Sequence, residues 1–186
     1  MSKAVLISIR PEWCKKIFDG EKTVEVRRTC PVHGTPFKAY IYCTRTTSKE
    51  FILDDDNWDV SAKKHGGWPG KRGRVIGEFT CKKITGLTHV GETGSSESAS
   101  LYVMAPRSYY KPADELLEAA CLSEETAEKY LKGRVGYGWH ISNLKIYDRP
   151  RPLSDFTRLR ATKFGYEPVN IERPPQSWFY VEELYT

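Results

Sequence analysis

The stretch Gly20-Glu21-Lys22-Thr23-Val24-Glu25-Val26-Arg27-Arg28 constrains the fold more than any other part of the chain. A glycine in that place closes a preceding helix, and a short strand begins at once. Along a strand, side chains two apart share a face. Val24 and Val26 therefore point one way, into a core, while Thr23, Glu25 and Arg27 point the other. Lys22 sits in the turn just before them. One strand edge so gathers an ammonium, a carboxylate and a guanidinium. The pattern reads either as a polar site or as the solvent face of a half-exposed strand with alternating charges.

What leads into this strand is equally ordered. Residues 4–9 form an apolar run too short for an independent helix and read as a buried strand. Pro11 suits the first turn of a helix, to which Trp13, Ile17 and Phe18 give an apolar face, with Lys15 and Lys16 on the other side. Gly20 then supplies the left-handed residue that ends the helix, so the turn that aims Lys22 depends on glycine.

Further along, residues 37–43 alternate and are rich in β-formers, which predicts a strand. Residues 44–60 are polar and locally acidic at Asp54, Asp55, Asp56 and Asp59, a solvated loop or a ligand set for a hard cation. Residues 63–74 contain Lys63, Lys64, Lys71, Arg72 and Arg74 among four glycines, with Trp68 between them. Such a loop offers charge for phosphates and an indole for stacking on a base, or else a Trp68 that packs back on the protein. A strand is predicted over 75–84, with Glu78 on the face opposite Val75, Gly77, Phe79 and Cys81. Residues 85–112 give mixed signals around a Gly/Ser patch at 94–96. Helices follow over 112–121 and after Ser123, a good N-cap, until Gly133. Gly136 and Gly138 open a long strand whose glycines invite a bulge or a close approach of backbone to a ligand. His140 on that strand suits a base, a base-reader or a satisfied structural histidine. Residues 149–153 read as an extended bracing segment, and 177–182 as a final aromatic strand that can close a barrel.

The order strand, Pro-initiated helix, G-x-K-x-x-E-x-R strand resembles the ASCH family of the PUA-like superfamily. Residues 138–148 (Gly-Trp-His-Ile-Ser-Asn-Leu-Lys-Ile-Tyr-Asp) and 173–178 (Arg-Pro-Pro-Gln-Ser-Trp) are similar to phage-type and bacterial members. The resemblance implies an α+β, β-rich PUA-like pseudo-barrel of about five to seven strands with flanking helices, as a single domain over 1–186. It also implies a cleft floored by the motif strand that binds RNA or nucleotide-like ligands such as modified nucleosides. In that cleft Glu25 would accept from a base amino group, Lys22 and Arg27 would hold phosphate or carbonyl oxygens, and Trp68 or Trp139 would stack. Lys71, Arg72 and Arg74 would follow the RNA backbone.

A second implication is catalysis. Some ASCH-like proteins hydrolyse N4-acetylcytidine and some cut RNA. The amidohydrolase type carries G-x-K-T-x-T-x-R, with a glutamate from a later segment. This chain matches at Lys22 and Thr23 but has Glu25 in place of the second threonine, and Glu78, Glu115 and Glu118 all compete for the later carboxylate.

The remaining composition narrows the class. At 186 residues one core of good size is possible, and a net charge of +5 leans toward polyanions. No signal pattern or span-length apolar run is present, and five scattered cysteines point to reduced thiols, so a cytoplasmic, membrane-free location is expected. Cys30-x-x-His33 has no second pair to complete a zinc site, so neither metal nor cofactor is expected.

Overall fold

A computed structural model describes residues 3–45, 73–90, 100–105 and 109–184. Trp68, Lys71, Arg72, the acidic run at 54–59 and the 94–96 patch lie outside the described residues. The chain divides into two compact units. The first comprises Met1–Lys15, Phe37–Thr80 and Asn143–Thr186, the second Lys16–Pro36 and Cys81–Ser142. Among the described residues, no helix is long and apolar enough to cross a membrane.

The first unit is built on β1 (Lys3–Ile9). This strand runs parallel to β3 (Phe37–Cys43) and antiparallel to β10 (Trp178–Glu182), so it has neighbours on both edges. Ala4, Val5, Leu6 and Ile7 are wholly buried, the reason its sequence is a continuous apolar run and not an alternating one. β3 pairs in turn with β4 (Arg74–Val90), and β4 with β7 (Gly136–Arg151). Leu6, Tyr40, Val75, Tyr147, Phe156 and Val181 share the core, with Tyr40 edge-on to Phe156 at 5.0 Å between ring centres. The Tyr40 hydroxyl also accepts from the Leu184 backbone N–H at 2.8 Å, which holds the chain after β10. A separate two-stranded hairpin, β8 (Thr157–Thr162) with β9 (Gly165–Asn170), follows a short 3-10 turn at Leu153–Asp155.

The second unit contains the motif strand. Helix α1 (Pro11–Phe18) belongs to the first unit as far as Lys15 and to the second from Lys16; it buries Cys14 and Ile17, and Gly20 after it has a φ of +79°, the left-handed value that favours glycine. β2 (Val24–Arg27) pairs antiparallel with β7, setting Val24 opposite His140, Glu25 opposite Trp139 and Val26 opposite Gly138. β7 pairs with β4, β4 with β5 (Ser100–Ala105), and β5 with β6 (Tyr109–Pro112). Helices α2 (Asp114–Ala119) and α3 (Glu124–Leu131) carry Leu116, Leu117, Ala127 and Leu131 into a core with Val24 and Val26. Ser123 caps α3, its hydroxyl accepting from the Thr126 N–H at 3.2 Å.

The β-rich α+β class is therefore observed, and each unit orders its sheet strands as an open run: β10-β1-β3-β4-β7 in the first and β2-β7-β4-β5-β6 in the second. Neither closes into a barrel among the described residues. Gly138 serves a different end from ligand approach. A Cβ there would lie 3.0 Å from Leu116 Cδ1 and 3.1 Å from Val24 Cγ1, so the missing side chain makes room for the core. Gly138→Ala is expected to overpack this core and cost about 1–3 kcal/mol. Urea unfolding measures it, and an unchanged midpoint would mean that Leu116 yields without strain.

Candidate functional site

Alternation along β2 holds for the two valines but does not send the charges into water. All four residues from Val24 to Arg27 are buried. Lys22, Glu25 and Arg27 keep only 3%, 6% and 8% of their surface exposed. Glu25 lies between the other two: one carboxylate oxygen is 3.4 Å from Lys22 Nζ, the other 2.9 Å from Arg27 Nη2. Lys22 Nζ also donates to the Ala120 carbonyl at 2.6 Å, and the Thr23 N–H donates to the Ala119 carbonyl at 2.9 Å. These carbonyls end α2, where the helix dipole is negative and a cation is favoured. The strand is thus pinned to a helix end by one backbone and one side-chain bond.

The neighbouring candidates fall into the same unit. Trp139 is wholly buried, so its indole is a packing surface here. His140 is half-buried, its Nε2 2.8 Å from Thr85 Oγ1. Burial lowers the His140 pKa, and the nearby Lys83 charge lowers it further. Of the candidate glutamates, Glu115 and Glu118 stand on the exposed side of α2. Glu78 belongs to the first unit. It accepts from the Tyr147 hydroxyl and pairs with Lys38 at 3.6 Å, while Lys38 also reaches Glu183 at 2.9 Å. Burial and then the bond to Glu78 push the Tyr147 phenol up. Tyr147 and Glu183 are far off in sequence, so this network was invisible until the strands were paired.

A groove of about 930 Å³ in the first unit was not foreseen as a whole. It brings together the end of β3, the start of β4, the 3-10 turn, the chain after β9 and residues 174–176. Ser8 ties the tail to β1: its hydroxyl donates to the Pro175 carbonyl at 2.6 Å and its N–H to the Ser177 carbonyl at 2.9 Å. Arg45 and Arg74 are exposed on the lining, with Glu172 and the amides of Asn170 and Gln176 also present. Gly73 has a φ of +77°, and a Cβ on it would sit 2.6 Å from Arg45 Nε, so the Arg45 side chain lies directly over this glycine. Tyr42 is buried beneath, its phenol pushed up by burial and drawn partly back by Arg45. Two guanidiniums, two amides and a phenol equip the groove to hold an anion and to hydrogen-bond a polar ring edge. The sequence signals for it were Arg74, the bracing segment at 149–153 and the Pro-Pro-Gln of residues 174–176.

Of the residues picked out from sequence, Lys22, Glu25 and Arg27 form one buried ion group in the second unit, Trp139 lies across the ladder from Glu25 and His140 across from Val24, and Arg74 lines the groove of the first. The class defined is a β-rich α+β protein with a cationic groove and a separate buried ion triad. No family model and no curated protein matches the chain. Among solved structures it is similar to the crystal structure of an ASCH protein from Zymomonas mobilis. That similarity has 19% identity and a TM-score of 0.49, covering 97% of this chain and 88% of that one. Two variants of the same protein, each at 19% identity, give TM-scores of 0.48 with 91% and 89% of their chains covered. These are members of the family that the motif strand resembles.

Two measurements test the second unit. Removing one member of a buried ion group strands the others, at a cost of about 3–5 kcal/mol. Glu25→Ala is expected to lower unfolding free energy by that order, and a loss below about 1 kcal/mol would show that water reaches the site. His140 supplies a pH signature. Its folded pKa lies below the ordinary value near 6.5, so the fold favours the neutral ring. The stability this contributes is whole above about pH 6.5 and is lost as pH falls through that value toward the folded pKa. Thermal midpoints measured from pH 7.5 down to 5 should fall less steeply for His140→Gln than for the native chain, on the order of the single proton involved.

Proposed function

We propose that the protein is an RNA-binding module that holds a single strand or nucleotide-like ligand in the groove lined by Arg45 and Arg74. The observation that supports this reading most is the pair of exposed guanidiniums in one groove of ligand size. Guanidiniums hold phosphate oxygens in a fork geometry, and the Asn170 and Gln176 amides and the Tyr42 phenol can meet base edges. Lys22, Glu25 and Arg27 take the role of an internal brace in this reading, since Lys22 Nζ, both Glu25 oxygens and Arg27 Nη2 already serve one another and the end of α2.

Catalysis through the motif strand is disfavoured by the same geometry. Lys22 Nζ is engaged by a carbonyl and a carboxylate, and Glu25 by two cations, which leaves neither poised to attack an acyl group or activate water. The expected result is no release of acetate from N4-acetylcytidine. Robust turnover lost in Lys22→Ala, with the fold intact by circular dichroism, would overturn this reading and make Lys22 catalytic.

Binding is tested by fluorescence anisotropy with a labelled single-stranded RNA over a salt series. Each phosphate contact on a single strand contributes about 0.7 to the slope of log affinity against log salt. Replacing Arg45 and Arg74 together by alanine should weaken binding and reduce that slope by about 1.4. Equal slopes in the native and double-variant proteins would exclude the groove as the phosphate site.

A further inference from the structure

The hairpin β8–β9 is unlike the rest of the first unit, because almost none of it is buried. Its cross-strand register sorts the side chains by face. Leu159 opposite Pro168 and Ala161 opposite Tyr166 share one face; Arg158 opposite Val169 and Arg160 opposite Glu167 share the other. At the turn, Phe164 is 95% exposed, and Tyr166 beside it is 76% exposed. The turn is ordered, not loose: the Phe164 N–H donates to Thr162 Oγ1 at 3.3 Å, and that hydroxyl donates to the Gly165 carbonyl at 3.1 Å. An ordered turn that holds two aromatic rings in water pays a hydration penalty with no return inside this chain.

Charge says what would cover them. The hairpin carries Arg158, Arg160 and Lys163 against one carboxylate, Glu167, which Arg160 already pairs. Lys163 Nζ lies 5.9 Å from the centre of the Phe164 ring. Lys163 beside the Phe164 ring, with Arg158 and Arg160 on the face opposite Tyr166, gives a cationic arm with exposed rings, which matches a polyanion whose flat groups are accessible, single-stranded nucleic acid. Position agrees: Asn170, the last residue of β9, is also part of the groove lining, so the hairpin begins where the groove does. Six-residue strands carry the tip roughly 17 Å from that base, a distance spanned by an extended strand of several nucleotides and not by a short one.

We propose that the β8–β9 hairpin is a stacking arm, on which Phe164 and Tyr166 take unpaired bases of the RNA strand whose phosphates are held at Arg45 and Arg74. The arm rests on the groove reading given above, and it adds a specific ligand requirement: the RNA must be single-stranded and long enough to pass from groove to tip.

Anisotropy with a single-stranded dodecamer RNA, a duplex of the same length, and a dinucleotide as competitor tests the arm in the full-length protein. Because both rings lie in solvent, Phe164→Ala with Tyr166→Ala should leave the thermal midpoint unchanged. That double variant should weaken dodecamer binding on the order of 5- to 150-fold per ring engaged, the range for loss of a base–aromatic stack. Dinucleotide binding should be unchanged, and the duplex should bind more weakly than the single strand and be indifferent to the variant. Phe164→Trp, which restores a ring, should return most of the affinity. Dodecamer affinity that is equal in the native protein and the double variant would overturn the arm while leaving the groove reading standing. Loss in the double variant with no effect of the Arg45 and Arg74 substitutions would overturn the groove and with it the combined path. Equal losses for duplex and single strand, or a variant effect seen only on vesicles of anionic phospholipid, would also overturn the stacking role.

Discussion

The carboxylate of Glu25 is the group on which the second unit turns. It meets two cations inside a region that admits almost no water, and each of the three charges is tolerable only because the others are present. Lys22 then connects this group to the end of α2, so the motif strand, β7 and the helix that lies after β6 are fixed by one electrostatic arrangement. The valines of β2 supply the burial, and the charged residues supply the register. A slip of one residue would drive Glu25 into the aliphatic core with Leu116 and Leu131.

The first unit solves a different problem. Its central strand is apolar from Ala4 to Ile7, and its polar features come from Ser8 and from the chain segments that meet around β1, β3 and the tail. Ser8 is the link: one side chain and its own amide hold residues 175–177, and the groove lining follows from that attachment. Glycine at position 73 lets the chain turn into β4 and gives Arg45 a flat surface to cross.

How much of this was legible in the sequence depended on the range of the interaction. Local rules read β1, α1, β3 and the Ser123 cap well, because apolar runs, Pro11 and a capping hydroxyl act within a few residues. β4 proved longer than expected and β7 ran on through Pro150, since strand ends are decided by the neighbour across the ladder and not by the local residue types. The β8–β9 hairpin left no alternating pattern because neither face is buried, and hydrophobic period is the signal that sequence reading uses. At the motif strand, periodicity placed Lys22, Glu25 and Arg27 together but carried no information on whether water would reach them. That is settled by Ala119 and Ala120, almost a hundred residues away.

The arginines show why composition alone stops short of a site. Arg27, Arg28, Arg45 and Arg74 count equally toward a net charge of +5. Arg27 is buried against a carboxylate, and Arg28 donates to the Tyr130 carbonyl while lying 4.8 Å from the centre of that ring. Arg27 is therefore neutralised within the second unit and adds little to the field that an approaching polyanion meets, whereas Arg28 is exposed and keeps its charge in solvent with its fork turned onto a carbonyl. Arg45 and Arg74 stay in solvent beside a groove, where a phosphate can displace water from them at small cost. The charge that matters for binding is the part that folding leaves hydrated, and in this chain the strand richest in charge is the one that folding removes from water.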